Sequence, residues 1–315
     1  MTRTVVIDPA LEVRVHGQRV LRYAAAAEAH EDRPAHVRAA SGLAMHAGRL
    51  VVVQDDASFF GVVGSDGVTA MKLPRGLHGR RRFEIALGNK LDKLDLESVV
   101  AIDDELWAFG SGSLPIRDKI CRVRHGIPRV LDAAPLFARL REALDNALNI
   151  EGAARVLAVG RDELWLFHRG NTGPRDPGPA VLRLATAEMR AWLDATAQMP
   201  ALVGVDSYDL GTADGARIGF TDAVADGARV FYLAAAERAP NAIDDGPASG
   251  SQLGVIDVGS GIVRAASLTH GGAPVKAEGI AFDPARPKHA WIALDPDDPE
   301  APAPLLDVEL IGPWW

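Results

Sequence analysis

The sequence has a single cysteine, Cys121, among its 315 residues. One thiol can form neither an internal disulfide nor a thiolate metal site on its own. No stretch approaches the roughly 18 consecutive apolar residues of a membrane span, and the opening residues MTRTVVIDPALEV lack the apolar core of a signal peptide. The sequence therefore predicts a cytoplasmic protein without membrane contact, in which Cys121 lies on a buried strand.

The chain also has fewer basic than acidic residues, 34 against 42, which gives a formal net charge of −8. That balance disfavours nucleic acid as a partner. Apolar residues make up 48% of the chain and charged residues 24%, a composition that excludes wholesale disorder. The chain is long enough to bury a core, and we interpret residues 1–315 as a single domain.

The common catalytic signatures are missing as well. There is no GxSxG or HExxH motif, no Walker A sequence and no dinucleotide fingerprint. Two acidic segments, Asp244-Asp245-Gly246 and Asp295 to Pro299, look like calcium loops but lack the twelve-residue EF-hand pattern, so we interpret them as turns. The sequence thus assigns no catalytic residue.

What the sequence does contain is a repeated hairpin, of which Asn149 to Asn171 is the best-formed copy. An apolar strand that opens on a small residue leads through a Gly/Asp turn into a second apolar strand, which ends in polar residues. The small residue falls at positions 42, 98, 152, 223 and 279, in steps of 56, 54, 71 and 56. Further strand signals, such as those flanking the Asp66-Gly67 turn, give about four strands per step, which is typical of a β-propeller blade.

The repeats predict an all-β fold, a single β-propeller of five blades. A sixth blade would require residues 1–41 and 180–215 to form a degenerate one. After its first strand the fifth unit has only two further strand segments, Ala290–Asp295 and Leu305–Ile311. An incomplete blade would leave unpaired strand edges. We therefore expect an N-terminal strand or hairpin, turning at His16-Gly17, to complete the C-terminal blade. Helices are expected at residues 132–148 and 187–195.

Four of the five hairpins begin with a carboxylate. Because the first strand of each blade lines the channel, these side chains should converge at one end of its axis. Like charges packed together need a cation or basic side chains, and hard oxygen ligands suit Ca²⁺. The alternative is a staple, in which the acids accept backbone N–H bonds or pair with Lys93 and Lys276. The predicted metal ligands are Glu97, Glu151, Asp222 and Glu278, with Ser41 at the fifth position.

Polar residues at the hairpin exits form a second predicted ring. Arg169 is its most informative member, because a guanidinium can hold a phosphate or carboxylate through two hydrogen bonds. The alternative for the other exits is that they are solvated turns. The predicted ligand-binding residues are Arg169, Lys276, Asp55, Ser113, Asn171 and Glu237, and the ligand they favour is a small anion.

As a set, these motifs resemble the phytase-like β-propeller superfamily, which includes the esterase-like phytase group and related bacterial proteins. The resemblance implies a propeller whose channel acids bind Ca²⁺ and, in some relatives, hydrolysis of phosphate esters or other esters. By position it places the metal acids at Glu97, Glu151, Asp222 and Glu278, while Ser41 departs from the acidic pattern. The paired segments span residues 40 to 299: Ala40–Leu43 with Gln54–Asp56, Leu96–Ser98 with Gly110–Ser113, Ile150–Gly152 with Arg169–Asn171, Phe220–Ala223 with Ala236–Glu237, and Lys276–Gly279 with Asp297–Pro299.

Two functions follow from this pattern. The first is a Ca²⁺-dependent phosphoester or ester hydrolase, with one of the channel glutamates as base and with Arg169 and Lys276 holding the anion. The second is a non-catalytic propeller that binds a ligand or a protein, in which a metal or the carboxylates make the channel rigid. Propellers host both, so the fold does not choose between them.

Overall fold

A computed structural model describes residues 2–158, 160–173, 175–237 and 248–315. Five sheets of four or five strands surround a central channel, so the predicted all-β propeller of five blades is confirmed. Asp244-Asp245-Gly246 lies outside the described residues. Within those described ranges, no helix has the length and apolarity needed to cross a membrane.

The first strand of each blade lines the channel and the next three lie progressively further out, in antiparallel pairs. Blade 1 consists of Ala40–His46, Arg49–Gln54, Phe59–Val63 and Val68–Lys72. Blade 2 consists of Leu96–Ile102, Glu105–Gly110, Lys119–Arg124 and Ile127–Asp132. Blade 3 consists of Ile150–Ala158, Arg161–His168, Ala180–Ala185 and Leu202–Asp209, and blade 4 of Gly219–Asp226, Arg229–Glu237, Ala248–Asp257 and Val263–Ser267. Blade 5 consists of Ala277–Phe282, His289–Leu294, Pro304–Ile311 and Glu12–Val20.

Short elements surround this ring. Thr2–Thr4 pairs in parallel with the outer strand of blade 3, and Val6–Ile7 does the same in blade 4. Helix α1 spans Ala134–Glu142 and helix α2 spans Thr186–Leu193, so both end earlier than the sequence predicts. The remaining short elements are the ribbons Thr212–Ala213 with Ala216–Arg217 and Thr269–His270 with Ala273–Pro274, and the 3₁₀ turns Ala29–Glu31, Leu77–Gly79, Ile85–Leu87, Lys90–Asp92 and Pro115–Arg117.

The ring closes by joining the two ends of the chain. Glu12–Val20 pairs antiparallel with Pro304–Ile311, which confirms that an N-terminal strand completes the last blade. The expected turn at His16-Gly17 is wrong, because the partner strand is long enough to pair with all of Glu12–Val20. A register shift instead leaves His16 as the extra residue of a β-bulge.

Neighbouring inner strands approach closely at the small residue of the repeat. A Cβ placed on Gly152 would lie 3.1 Å from backbone atoms of Asp222 and Ala223 in the next blade. A Cβ on Gly279 would meet the backbone of blade 1 at the same distance. Glycine is therefore a steric requirement of the channel wall at these two positions.

A β-bulge precedes this position in every blade, and the bulge corrects one sequence alignment. In blade 4 the register shift lies between Phe220 and Asp222, so Thr221 occupies the bulge and Asp222 is the counterpart of Gly152. The sequence alignment placed the fourth unit one residue too far along. The five bulge residues are Ser41, Glu97, Glu151, Thr221 and Glu278.

The core lies between the blades. Each bulky residue that the repeat aligns packs in a cluster shared by its own blade and the next one, as the sequence predicts. Cys121 is buried on its predicted strand and belongs to the cluster between blades 1 and 2. The aligned bulky residues are Val51, Trp107, Trp165, Phe231 and Trp291.

The steric requirement predicts the outcome of adding one methyl group. Gly152→Ala should lower the free energy of unfolding by about 1–3 kcal/mol, because the methyl group overpacks against backbone that cannot move aside. Gly17→Ala is the control, since a Cβ there meets nothing within 4 Å. Urea unfolding of both variants checks this prediction. Equal unfolding midpoints for the two variants would show that the inner strands accommodate a methyl group at position 152.

Candidate functional site

The bulge residues and the hairpin exits meet at one end of the channel, which we call the acid end. Charges on the Glu97, Glu151 and Glu278 carboxylates influence one another there, as do those of acids from the exits. The two rings expected from the sequence are thus one cluster. The acid end consists of Asp55, Asp56, Asp95, Glu97, Glu151, Glu237, Glu278, Asp295 and Asp297 with Arg38, Lys93, Arg117, Arg169 and Lys276.

Arg169 joins blade 3 to blade 4. One terminal nitrogen lies 3.3 Å from Glu151 Oε2 and the other lies 2.7 Å from Glu237 Oε1. The cavity beside the guanidinium measures about 30 Å³, which is enough for roughly one water molecule. Among the described residues, Arg169 therefore acts as a link between blades, and the cavity that they leave beside it is too small for a substrate-sized anion.

Two lysines make the equivalent links elsewhere in the ring. Lys276 Nζ lies 3.2 Å from Asp295 Oδ2 and 3.8 Å from Glu237 Oε1, so it connects blade 5 to blade 4. Lys93 bonds to Asp55 at the exit of blade 1 and lies 2.6 Å from Asp95 at the entry of blade 2. Among the described residues, basic side chains thus offset the acids across three of the five blade junctions.

Asp55, Asp95 and Glu97 form a tight group of carboxylates at the acid end. One oxygen from each lies within 4.8 Å of the other two. Asp55 Oδ1 has no hydrogen-bond partner within the part of the chain that the structure describes. A set of hard oxygen donors fits Ca²⁺ better than a softer metal. The group therefore fits a divalent cation, which would compete with the Lys93 ammonium for two of the three carboxylates.

Burial changes the acidity of these groups. It raises the pKa of Glu151 to about 7, despite the opposing charge of Arg169. Burial, together with the charge of Asp55, also raises the pKa of Asp56 to about 7. Asp95 behaves in the opposite way, since Lys93 and Arg117 outweigh the effect of burial and lower its pKa. Part of the acid end is therefore protonated near neutral pH, which reduces the repulsion among its carboxylates.

Asp222 is separate from this group. Its Oδ2 accepts the backbone N–H of Ile280 at 2.8 Å and that of Leu43 at 3.4 Å. These bonds tie blade 4 to blades 5 and 1 across the channel. Asp222 occupies the position after the bulge, whereas the acids of the other blades occupy the bulge itself. Its side chain therefore contacts backbone N–H groups instead of basic side chains. The staple alternative describes Asp222 well.

Ser113 and Asn171 take part in supporting hydrogen bonds. Asn149 donates its amide to Glu151 Oε1 at 2.6 Å and to Asn171 Oδ1 at 3.0 Å. Ser113 Oγ accepts a hydrogen bond from Arg117 at 2.7 Å, and Arg117 lies 2.8 Å from Asp95. Both predicted ligand residues therefore orient acids from within the protein.

A pocket of about 510 Å³ opens between blades 1 and 5 beside this cluster. Of the six predicted ligand-binding residues, only Asp55 lines it; Arg169, Lys276, Ser113, Asn171 and Glu237 do not. Carboxylates outnumber basic groups in its wall, so its charge suits a cation, or an anion that a cation bridges. The charged residues of the wall are Asp55, Asp56, Glu84, Asp295, Asp297, Asp298 and Glu300 with Arg38, Lys90 and Lys93.

Sequence reasoning missed Asp95, Arg117 and Asn149. A signal for Asp95 was present, because a polar residue stands two positions before the acid in more than one unit of the repeat, as Asp95 does before Glu97. Asn149 stands in the same relation to Glu151. Nothing in the local sequence marks Arg117, which reaches Asp95 only through the fold.

Comparisons with known proteins address the family and the fold. A profile described as "Family of unknown function (DUF6929)" matches residues 36–310. The search of curated proteins found no match. A mannose phosphorylase from Leishmania mexicana is similar in structure, with a TM-score of 0.50 and 12% identity over 96% of this chain and 93% of that one.

Two further solved structures have lower scores. A luciferin-regenerating enzyme gives a TM-score of 0.40 at 12% identity, over 88% of this chain and 79% of that one. The extracellular domain of a hybrid two-component system from B. thetaiotaomicron gives 0.37 at 9% identity, and this chain covers 27% of it. At such identities the likeness concerns the fold alone. The resemblance to phytase-like propellers stays a prediction.

The raised pKa of Glu151 predicts a pH dependence of stability. A carboxyl whose pKa rises from 4.5 to about 7 on folding favours the folded state below pH 4.5, and this advantage is lost as the pH rises through 7. Glu151→Gln mimics the protonated form. Relative to the wild type it should therefore gain up to about 3 kcal/mol between pH 4.5 and 7.5.

Urea unfolding at several pH values measures this difference, and Glu188→Gln on the exposed face of α2 is the control. A wild-type-minus-variant difference that stays flat over this range would contradict the raised pKa of the buried Glu151 carboxyl.

Proposed function

The chain belongs to DUF6929, a family of unknown function, and we propose that it is a Ca²⁺-dependent hydrolase of small phosphate esters or other esters that acts at the acid end. One observation carries the proposal. Asp55, Asp95 and Glu97 bring carboxylate oxygens within 4.8 Å of one another, and Asp55 also lines a pocket of about 510 Å³. We further propose that the protein acts in the cytoplasm, without a nucleic-acid or membrane partner.

Asp55, Asp95 and Glu97 are the proposed ligands of the cation. Glu97 is retained from the sequence prediction, and Asp55 moves from the ligand-binding set to the metal set. Ca²⁺ bound there would polarise a substrate oxygen and lower the pKa of a water molecule. Glu151 and Glu278 are proposed to act as a second layer that interacts with Arg169.

Asp56 is the proposed general base. Asp56 lines the pocket. Burial raises its pKa, so its carboxylate accepts a proton more readily than that of an ordinary aspartate. Arg38 holds one of its oxygens at 2.8 Å, and Oδ1 has no hydrogen-bond partner among the described residues. Glu151 and Glu278 do not line this pocket, which favours Asp56 over them for the role.

The ion pairs favour a second candidate, a non-catalytic binding propeller. Lys93 already bonds to Asp55 and lies 2.6 Å from Asp95, so a protein cation can take the place of a metal. In that case the acid end is a structural staple, and the pocket or the rim binds a ligand or another protein.

Calcium titration separates the two candidates. By isothermal titration calorimetry, Asp55→Asn and Glu97→Gln should weaken Ca²⁺ binding at least about ten-fold, because each removes one of three charged ligands. Lys93→Met should strengthen it, because an ammonium no longer competes for two carboxylates. Asp66→Asn, in an exposed turn of blade 1, is the control. If the wild type and the Lys93→Met variant both fold and neither binds Ca²⁺, the proposed metal site is wrong.

A hydrolysis assay tests the chemistry separately. With p-nitrophenyl phosphate and p-nitrophenyl acetate, Asp56→Asn should lower kcat by about 100-fold or more while leaving Ca²⁺ affinity within about two-fold. Chelation should abolish the same activity. Activity that survives both changes would contradict the mechanism, and Ca²⁺ binding without any hydrolysis would select the binding propeller.

A further inference from the structure

We propose that His16, His289 and Glu309 form a transition-metal site, of the kind that binds Zn²⁺, on the face of blade 5. One donor atom from each of the three residues lies within 4.8 Å of the other two. This group lies on the sheet that closes the propeller, and it shares no residue with the acid end. The proposal therefore does not depend on the proposed hydrolase.

Three adjacent strands bring these side chains together. His289 and Glu309 are direct cross-strand partners, and the bulge at His16 aims its ring at the same place. His16 Nε2 lies 2.9 Å from Glu309 Oε2. The two imidazole rings stack with centroids 5.4 Å apart and an angle of 29° between their planes. A β-bulge commonly redirects a side chain in this way.

A second observation concerns how His289 is held. Its Nδ1 lies 3.3 Å from Asp307 Oδ1, and Arg286 fixes the other oxygen of Asp307 at 2.8 Å. Histidine ligands of metals usually donate one ring N–H to a carboxylate, which orients the ring and leaves the other nitrogen for the metal. Asp307 stands in that position, so Nε2 of His289 is left for the metal.

The donor set selects the metal. Two imidazoles and one carboxylate suit Zn²⁺, and three protein ligands leave a fourth position for water. The all-oxygen group at the acid end suits Ca²⁺ instead. The nearby charge of Arg14 opposes a cation, but its guanidinium lies 2.9 Å from Glu12 Oε1, which offsets it.

A metal bound at this site would stabilise the closed ring of blades. His16 belongs to the N-terminal strand, whereas His289 and Glu309 belong to the C-terminal strands of the same blade. A metal that binds all three binds only the closed ring, and such binding stabilises the closed form by mass action. The proposed function of the site is thus a metal clamp on the closure strand.

Zn²⁺ titration of the full chain, prepared without a histidine tag, tests the proposal. We expect saturable binding of one Zn²⁺ and a melting temperature that rises with Zn²⁺ concentration. His16→Gln and His289→Gln should each weaken binding by at least about ten-fold, and Asp307→Asn should do so by about ten-fold through loss of ring orientation. His125→Gln, an exposed histidine of blade 2, and Asp55→Asn at the acid end should bind Zn²⁺ as the wild type does.

Two results of the Zn²⁺ titrations would overturn the proposal, and competition with Ca²⁺ supplies a third test. One is the absence of saturable Zn²⁺ binding by the wild type. The other is unchanged affinity in His289→Gln and Glu309→Gln variants that melt, without metal, at the wild-type temperature. Should His16→Gln fail to fold, these two variants still decide the matter. Excess Ca²⁺ should not displace the Zn²⁺, and displacement would assign it to the acid end and count against the site.

Discussion

Compensation of buried carboxylates by basic side chains that cross from blade to blade is the interaction on which this propeller depends. Arg169 links blades 3 and 4, Lys276 links blades 5 and 4, and Lys93 links blades 1 and 2. Removing one partner of such a pair leaves a buried charge, which is strongly destabilising. The same pairs hold the acids in place, so the stability of the channel and the geometry of the candidate site have one origin.

The fold was predictable because its main constraint is local and repeated. In four of the five blades the inner strand carries glycine or serine where it meets its neighbour, and Gly152 and Gly279 show why. The repeat therefore appears in the sequence at a regular spacing. The acids follow the same spacing less strictly. The sequence alignment matched Asp222 with Glu151, because a small residue follows each of them. In the structure Thr221, not Asp222, occupies the bulge of blade 4.

The site was less predictable because it depends on contacts between distant segments. The expected anion contact at Arg169 followed from its position at a strand end, but Glu151 and Glu237 engage its guanidinium. The spacing of His16 and His289 carries no metal motif, since ring closure alone makes them neighbours. Residues brought together by closure leave no periodic signal.

The most direct test of the central claim is a double-mutant cycle on Arg169→Met and Glu237→Gln, measured as free energies of unfolding. If the acid end is held by interblade charge pairs, each single change should cost about 3 kcal/mol. The double variant should then lose clearly less than the sum of the two, which gives a coupling of at least about 1.5 kcal/mol. Single costs that add to within about 0.5 kcal/mol would contradict the claim.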